Sequence, residues 1–361
     1  MKLSLHSLIP RISTSMLRPF AAACLVAVAS LAWTGWASAA ECAPGPYELT
    51  TQAKVDALGA TGFDCISAYL SIAGKNITNL DGLANLTSVG GRLVIEFNPA
   101  LTDLDGLANL TSVGGKLSIL RNNAITNLDG LANLTSVGGN LYIYGNDALT
   151  NLDGLANLTS VGFSLHIQLN NALTNLDGLV NLTSVGDFLY INRNDALTNL
   201  DGLANLTSVG GYLDIEGNDA LTNLDGLANL TSVEWFLRIY RNDALTNLDG
   251  LANLTSVGGL LAIGFNPALT NLDGLANLTS VGDLLISGND NASCEGLALL
   301  LGWPNGPPDD DVDGDITIAS NGSGCNSIAE VLASYNPPLV SDRFNALLQA
   351  VQAIRGAGSS Q

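Results

Sequence analysis

The sequence predicts an all-β protein built as a parallel β-solenoid, and three observations support this fold class. A 24-residue unit, seen at residues 125–148 as ITNLDGLANLTSVGGNLYIYGNDA, occurs nine times between Ile77 and Asn291, the last copy one residue short. A fixed period in this range is typical of solenoids, in which each copy stacks on its neighbours. Within a unit, aliphatic residues alternate as in a strand with one buried side, and Gly or Asp-Gly pairs separate the short segments.

Residues 1–39 resemble a secretory signal peptide. Three basic residues precede an apolar stretch over 20–36, and the small residues at 37–39 form a cleavage motif. We therefore expect an exported protein whose mature chain begins near Ala40. No other apolar stretch is long enough to cross a bilayer, so we expect no membrane span in the mature chain.

The charge balance is strongly acidic. The chain has 33 acidic against 13 basic residues and a formal net charge of −20, and the signal segment carries three of the basic residues. Such a surface repels nucleic acids and anionic membranes. We expect no nucleic-acid partner.

Four cysteines follow the signal segment, and they lie at the two ends of the repeat array. An even number in an exported chain predicts disulfides, and of the three connectivities the placement favours Cys42–Cys65 and Cys294–Cys325. Export leaves three destinations open: the periplasm, secretion into the medium, or the cell surface.

One coil can be followed through residues 113–137. Leu117 and Ile119 point inward from a strand, and an Asn-containing corner turns the chain. A second extended piece is expected at 125–128, followed by a turn at Asp129-Gly130. Each coil supplies about seven inward aliphatic positions.

Both ends of the array need caps, because an open coil exposes strand edges. We assign 40–76 to an N-terminal cap, in which 62–76 forms a degenerate coil, and 77–291 to the solenoid. Residues 292–335 form a C-terminal cap with a further strand over 315–319. Residues 336–361 form a short helix and tail, the helix over 341–355 covering the last coil or, alternatively, binding a partner.

The repeat L-x-I-x-x-N-x-A-L-T-N-L-D-G-L-x-N-L-T-S-V-G-G resembles that of receptor L-domain-like leucine-rich proteins, over residues 77–291. The resemblance implies a right-handed solenoid with a non-catalytic binding role. The copies are closer to identical than is usual in that family, which indicates recent tandem duplication.

The copies differ mainly at one place, the outward residues that flank the L-x-I strand. Every aromatic and every basic residue between Ile77 and Asn291 lies there. Outward side chains on adjacent coils stand one strand spacing apart and so form a continuous row. We call the following set the strip and predict that it binds a ligand: Tyr142, Tyr144, Tyr190, Arg193, Tyr212, Trp235, Phe236, Arg238, Tyr240 and Arg241.

Three interpretations of the strip differ in function. Tyr, Trp and Arg are typical anchors of interfaces, which favours a binding face for a protein or a polysaccharide. The same residues could instead be cross-strand pairs that stabilise the outer sheet. The third interpretation is neutral drift at exposed positions after duplication.

An acidic segment before the predicted cap strand matches the spacing of a calcium loop. The four carboxylates at alternate positions are Asp309, Asp311, Asp313 and Asp315, and Gly314 would permit the sharp turn. Ser320 stands at the twelfth position in place of an acidic residue, and no pair of flanking helices is evident. We therefore favour a solvated acidic loop and keep calcium as the alternative; no other cofactor is expected.

Enzymatic chemistry has little support. His166 occupies a variable position of the repeat and has no evident nucleophile partner, and the Asp residues recur in every coil as turn residues do. Regular Thr rows suggest an ice-binding face, but L-T-N-L does not provide two outward Thr per strand. The sequence predicts a non-catalytic recognition or adhesion protein. The main alternative is a structural spacer of the cell envelope, followed by a polysaccharide-acting enzyme or an ice-binding protein.

Overall fold

The computed structural model describes residues 42–297, 300–301 and 314–334. The predicted signal peptide at 1–39, the predicted helix at 341–355 and three of the four carboxylates of the calcium-loop motif lie outside these residues.

The described chain is a parallel β-solenoid with two ladders of strands. The longer ladder carries the L-x-I strands, and each strand pairs in parallel with the equivalent strands of the coils on either side. Its strands are β1 (Tyr47–Leu49), β3 (Leu70–Ile72), β5 (Leu93–Glu96), β7 (Leu117–Leu120), β9 (Leu141–Tyr144), β11 (Leu165–Gln168), β13 (Leu189–Asn192), β15 (Leu213–Glu216), β17 (Leu237–Tyr240), β18 (Ser256–Gly264), β19 (Ser280–Ser287) and β20 (Ile316–Ala319).

The shorter ladder consists of two-residue strands at the Ser-Val dipeptide. β18 and β19 are long enough to join both ladders. The other members are β2 (Cys65–Ile66), β4 (Ser88–Val89), β6 (Ser112–Val113), β8 (Ser136–Val137), β10 (Ser160–Val161), β12 (Ser184–Val185), β14 (Ser208–Val209) and β16 (Ser232–Val233).

The expected coil needs two corrections. Residues 125–128 are not a strand, and the second strand of that coil is β8. The Asp-Gly turn is the start of a one-turn 3₁₀ helix, because the Leu and Ala N–H groups after it bond back three residues. These helices span Asp81–Leu83, Asp105–Leu107, Asp129–Leu131, Asp153–Leu155, Asp177–Leu179, Asp201–Leu203, Asp225–Leu227, Asp249–Leu251, Asp273–Leu275 and Glu295–Leu297.

Glycine follows each of these Asp residues for a steric reason. A Cβ built on Gly202 would lie 1.7 Å from the carbonyl oxygen of Leu176 in the preceding coil, and a Cβ on Gly130 would lie 1.9 Å from that of Leu104. Backbone atoms meet backbone atoms at this corner. The spacing between coils therefore depends on a residue without a side chain.

The core is a set of aliphatic columns that run through consecutive coils. The parallel register places each inward residue beside the equivalent residue of the next coil, as Leu165 beside Leu189 and Ile167 beside Ile191. The seven inward positions expected per coil are all buried, for example in residues 173–196: Leu173, Leu176, Leu179, Leu182, Val185, Leu189 and Ile191.

A column of buried asparagines runs beside this core at the corner after the long strand. Asn194 donates from Nδ2 to the carbonyl of Ile167 at 2.9 Å, and its Oδ1 accepts the backbone N–H of Asn170 at 3.1 Å. The same bonds recur from coil to coil, so the column satisfies backbone groups that no strand reaches. Its fully buried members are Asn98, Asn122, Asn146, Asn170, Asn194, Asn218, Asn242, Asn266 and Asn289.

Both caps extend the ladders. The degenerate coil at 62–76 supplies β2 and β3 as expected, and it is preceded by two elements that the sequence did not predict, β1 and helix α1 (Gln52–Gly59). At the other end the cap strand expected over 315–319 is β20, which pairs with β19. Helix α2 (Ile328–Ser334) follows it and was not predicted.

Disulfides hold both caps. Cys42 is joined to Cys65 with a Cα–Cα distance of 4.6 Å, and Cys294 to Cys325 with a Cα–Cα distance of 5.2 Å. This is the connectivity that the placement of the cysteines favoured. Among the described residues, neither helix has the length or the apolar composition needed to cross a bilayer.

Replacing a buried ladder asparagine should destabilise the fold far more than replacing an exposed one. Asn194→Ala leaves the Ile167 carbonyl and the Asn170 N–H buried without partners, for which we expect a loss of roughly 3 kcal/mol in the free energy of unfolding. Asn205→Ala, at an exposed position, should cost less than about 1 kcal/mol. Urea unfolding followed by circular dichroism compares the two, and equal losses would contradict a structural role for the column.

The glycine after Asp is predicted to be irreplaceable for steric reasons. Gly202→Ala should lower the free energy of unfolding by roughly 3 kcal/mol or more, because its Cβ would overlap the backbone of Leu176. The control is Gly217→Ala, whose φ is +66° and whose Cβ would meet Arg193 Cγ at 3.4 Å, an ordinary contact. It should cost only the backbone strain of about 1 kcal/mol, and a Gly202→Ala protein as stable as this control would show that the coils can move apart.

Candidate binding face

The strip lies on the outward side of the long ladder and on the corner that follows it. Within each strand the inward Leu and Ile alternate with outward residues, so β9 presents Tyr142 and Tyr144, and β17 presents Arg238 and Tyr240. The register sets His166 beside Tyr142 and Tyr190, and Asp214 beside Arg238. Outward residues of different coils are therefore direct neighbours.

Aromatic side chains of the strip and its neighbours form two columns of stacked rings. In the first, His166 lies between Tyr142 and Tyr190, with centroid distances of 4.4 and 4.6 Å. In the second, Tyr212 lies between Phe188 and Phe236, at 4.4 and 4.7 Å. These distances match the separation of parallel strands, about 4.8 Å, so the ladder imposes the stacking. Rings inside a column cover one another's faces.

Glycines on the next coil make room for these rings. A Cβ on Gly211 would lie 2.7 Å from Phe188 Cδ1, one on Gly259 would lie 2.8 Å from the Phe236 ring, and one on Gly264 would lie 2.6 Å from Tyr240 Cε2. Each ring leans toward the coil that follows it. A ring in one coil thus occurs together with a glycine in the next coil. This matching argues against independent drift at the variable positions.

A cluster of opposite charges occupies the middle of the strip. Arg238 forms ion pairs with Asp214, at 3.6 Å, and with Glu216, and Arg241 forms one with Glu216 at 3.6 Å. Burial raises the pKa of Asp214 above its ordinary value, against the opposing effects of Arg238 and of the hydrogen bond from Asn192. Arg238 therefore neutralises a nearly buried carboxylate, a role that the sequence did not reveal.

Cations also lie over rings in this cluster. The guanidinium carbons of Arg238 and Arg241 stand 5.1 and 5.3 Å from the centroid of Tyr240. Arg121 lies over Tyr144 at 6.0 Å in an earlier part of the strip. Such contacts are each worth about 0.5–1 kcal/mol at exposed sites, so they fix the side chains without burying them.

The corner residue after each long strand has a left-handed backbone conformation. Three coils place glycine there, but the others place large side chains at φ of +53° to +57°. A left-handed non-glycine residue costs of order 1 kcal/mol or more. The large corner residues of the repeat array are Phe97, Arg121, Leu169, Arg193, Arg241 and Phe265.

The glycine corners separate these large side chains and leave grooves between them. One groove of about 470 Å³ lies around Gly145, with Arg121, Tyr144 and Leu169 in its walls. A second, of about 680 Å³, lies around Gly217 between Arg193 and Arg241, with Asp195 among the acidic residues of its rim. Trp235, 57% exposed, and Phe236, 40% exposed, stand on the other flank of the same coils.

Two further predictions concern the calcium loop and the Thr rows. Of the calcium-loop carboxylates only Asp315 is described, and its backbone N–H donates to Oδ1 of Asp283 at 2.8 Å. Over the described residues, no cluster of three or more His, Cys, Asp or Glu side chains is arranged to hold a metal ion. The Thr rows donate their hydroxyls to carbonyls of the preceding coil, as Thr198 does to Thr174 at 3.1 Å.

No family model matches the chain, and no curated protein matches it. Among solved structures, an internalin from Listeria monocytogenes is similar, with 17% sequence identity and a TM-score of 0.35 over 79% of this chain and 87% of that chain. A score this low supports no conclusion about the fold or the function of this chain. The repeating parallel sheet fits the leucine-rich-repeat class of folds, and membership of the receptor L-domain-like family stays a prediction.

The stacked histidine provides a test of the first ring column. Burial lowers the pKa of His166 from 6.5 to about 4. The unfolded chain therefore takes up a proton below pH 6.5 that the folded chain refuses until about pH 4, so stability should fall as the pH drops through that window.

NMR titration of the imidazole measures this pKa directly. Tyr190→Ala, which exposes one face of the ring, should move the midpoint back toward 6.5. A midpoint near 6.5 in the parent protein would instead mean that the two tyrosine rings stabilise the imidazolium cation.

Proposed function

We propose that this protein is an exported, non-catalytic recognition or adhesion protein that binds a protein or glycan ligand through the strip. Two disulfides support an oxidising compartment outside the cytoplasm. The two strand ladders provide a stable base, and the outward residues vary on it without disturbing the core.

The observation that carries the proposal is the strained corner row. Arg193 and Arg241 hold φ of +56° and +54°, although glycine occupies the equivalent position of the coil between them, at Gly217. At Arg193 no ion pair with the described residues offsets the cost of a conformation that glycine adopts freely, so a spacer function does not account for the arginine there. Strain of this kind is typical of functional sites.

Exposure supports the same conclusion. The side chain of Arg241 is 61% exposed, Trp235 is the most exposed member of its ring cluster, and Arg193 forms no ion pair within the described part of the chain. Tryptophan and arginine dominate interface energetics, because they combine a large apolar area with hydrogen-bonding groups. These three residues are the proposed anchors.

The competing function is a spacer of the cell envelope, with which the ring columns are compatible. Stacked cross-strand rings stabilise a sheet by a few tenths to about 1 kcal/mol each without any ligand. The columns alone are therefore consistent with both functions. Arg193, which is strained, exposed and without an ion pair among the described residues, favours recognition.

The proposal predicts loss of capture without loss of folding. Trp235→Ala combined with Arg193→Ala should reduce capture from a cell-surface extract and a polysaccharide panel by about a hundredfold, since each anchor contributes roughly 1–2 kcal/mol. Arg238 is left intact, because its removal would leave the nearly buried carboxylate of Asp214 without its ion-pair partner.

The matched control removes the same kinds of residue outside the strip and the corner row. Arg92→Ala with Phe63→Ala takes one exposed arginine and one exposed aromatic ring from the N-terminal part of the described chain. It should bind as the parent does. Capture that survives the Trp235 and Arg193 changes would refute the strip as the binding site, and no specific capture by the parent would favour the spacer.

A further inference from the structure

The second ring column ends abruptly at a small residue. The positions of Phe188, Tyr212 and Phe236 are equivalent in three successive coils, and the coil before them carries Ser164 there. Ser164 is only 5% exposed and lies at the bottom of a groove of about 680 Å³. We call this groove the Ser164 slot.

The walls of the Ser164 slot are aromatic. One face of Phe188 rests on Tyr212, and Phe188 leans over Gly211, away from the slot. Its opposite face is therefore turned toward the slot. Phe163 stands at the rim, 58% exposed, and none of the described rings stacks on it.

Polar groups surround the same slot. Asn140 is held in place, because Oδ1 accepts the N–H of Ser164 at 2.9 Å and Nδ2 donates to the Tyr142 hydroxyl at 3.1 Å, which leaves its second amide hydrogen for a ligand. The carboxylate of Asp187 accepts no hydrogen bond from the described residues, and the ammonium of Lys116 has no carboxylate partner among them.

We propose that the Ser164 slot binds one uncharged hexopyranose ring of a glycan. The C–H face of a pyranose is flat and apolar and would pack on Phe188 or Phe163, while its hydroxyls would bond to Asn140, Asp187 and Lys116. The slot is about two strand spacings wide between the coils of Asn140 and Phe188, or roughly 9–10 Å. This inference rests on the proposed function, and it assigns a ligand class to one part of the same face.

The charges of the slot select against other ligands. Lys116 and Asp187 have opposite signs, so the slot has no net charge of its own, and the chain as a whole carries −20. An acidic sugar would be repelled by that field. An aromatic side chain of a partner protein would fit between the rings, but it would leave Asp187 and the second amide hydrogen of Asn140 without hydrogen-bond partners, which costs binding energy.

The test uses purified protein and neutral trisaccharides of glucose, mannose, galactose and N-acetylglucosamine. Saturation-transfer NMR and calorimetric titration should detect at least one of them. Phe163→Ala should weaken that binding by about tenfold, because it removes an exposed aromatic face. Ser164→Tyr should abolish it, because the new ring would extend the column of Phe188 into the slot.

The second variant is expected to fold, since the chain already carries Tyr212 at the equivalent position of a later coil. Phe63→Ala, which removes an exposed phenylalanine outside the slot, the strip and the corner row, is the control and should bind as the parent does. Thermal unfolding of all three variants verifies that the coils are intact.

Two results would overturn the inference. The first is the absence of binding of every trisaccharide by the parent, and the second is binding that Ser164→Tyr leaves unchanged. If Ser164→Tyr abolishes capture of a protein while no sugar binds, the slot receives an aromatic side chain instead. Loss of capture in the Trp235 and Arg193 variant is measured separately, so failure of the sugar inference leaves the proposed function standing.

Discussion

The structure depends on one constraint, which is that each coil is a translated copy of the last at a single strand spacing. At a repeated position, each side chain therefore lies beside the same residue type in the neighbouring coils, so it must be able to pack against, or bond to, another of its own kind. Leu, Ile and Val satisfy this condition by apolar contact. Asparagine satisfies it because an amide carries both a donor and an acceptor, so Asn170, Asn194 and Asn218 bond in sequence. A buried carboxylate could not form such a column.

The same constraint shapes the outer face, where residues are not repeated. Neighbouring coils must there supply complements, and they do so with stacked rings, with rings over glycines, and with opposite charges such as Asp214 beside Arg238. Much of the variation between copies is thus explained by packing on the face itself. What packing does not explain is a large exposed side chain in a strained conformation that forms no ion pair with the described residues, as at Arg193.

The repeat period, the inward positions and the cap strand could be predicted because each follows from the order of residues along the chain. The 3₁₀ helix, the buried asparagines and the pairing of Arg238 could not, because they depend on which residue of the next coil lies opposite. One signal for the asparagine column was present: Asn occurs after every L-x-I strand while the residue before it varies from Phe to Gly. The residues of β1 and helix α1 share no repeat with the array, so periodicity could not reveal them.

Identity between copies and variation between copies carry different information in such a fold. An identical position, such as the glycine after Asp, is explained by contact with its own copy, and it says nothing about a ligand. A varied position is constrained only by its neighbours on the face. A residue there that packs less well than an available alternative therefore carries information about a ligand. Ser164 interrupts a ring column that the following coils build, and Arg193 occupies a corner where glycine would be relaxed. Both departures lower the internal stability of the face and leave groups unpaired toward solvent, which is the arrangement expected where a ligand completes the contacts.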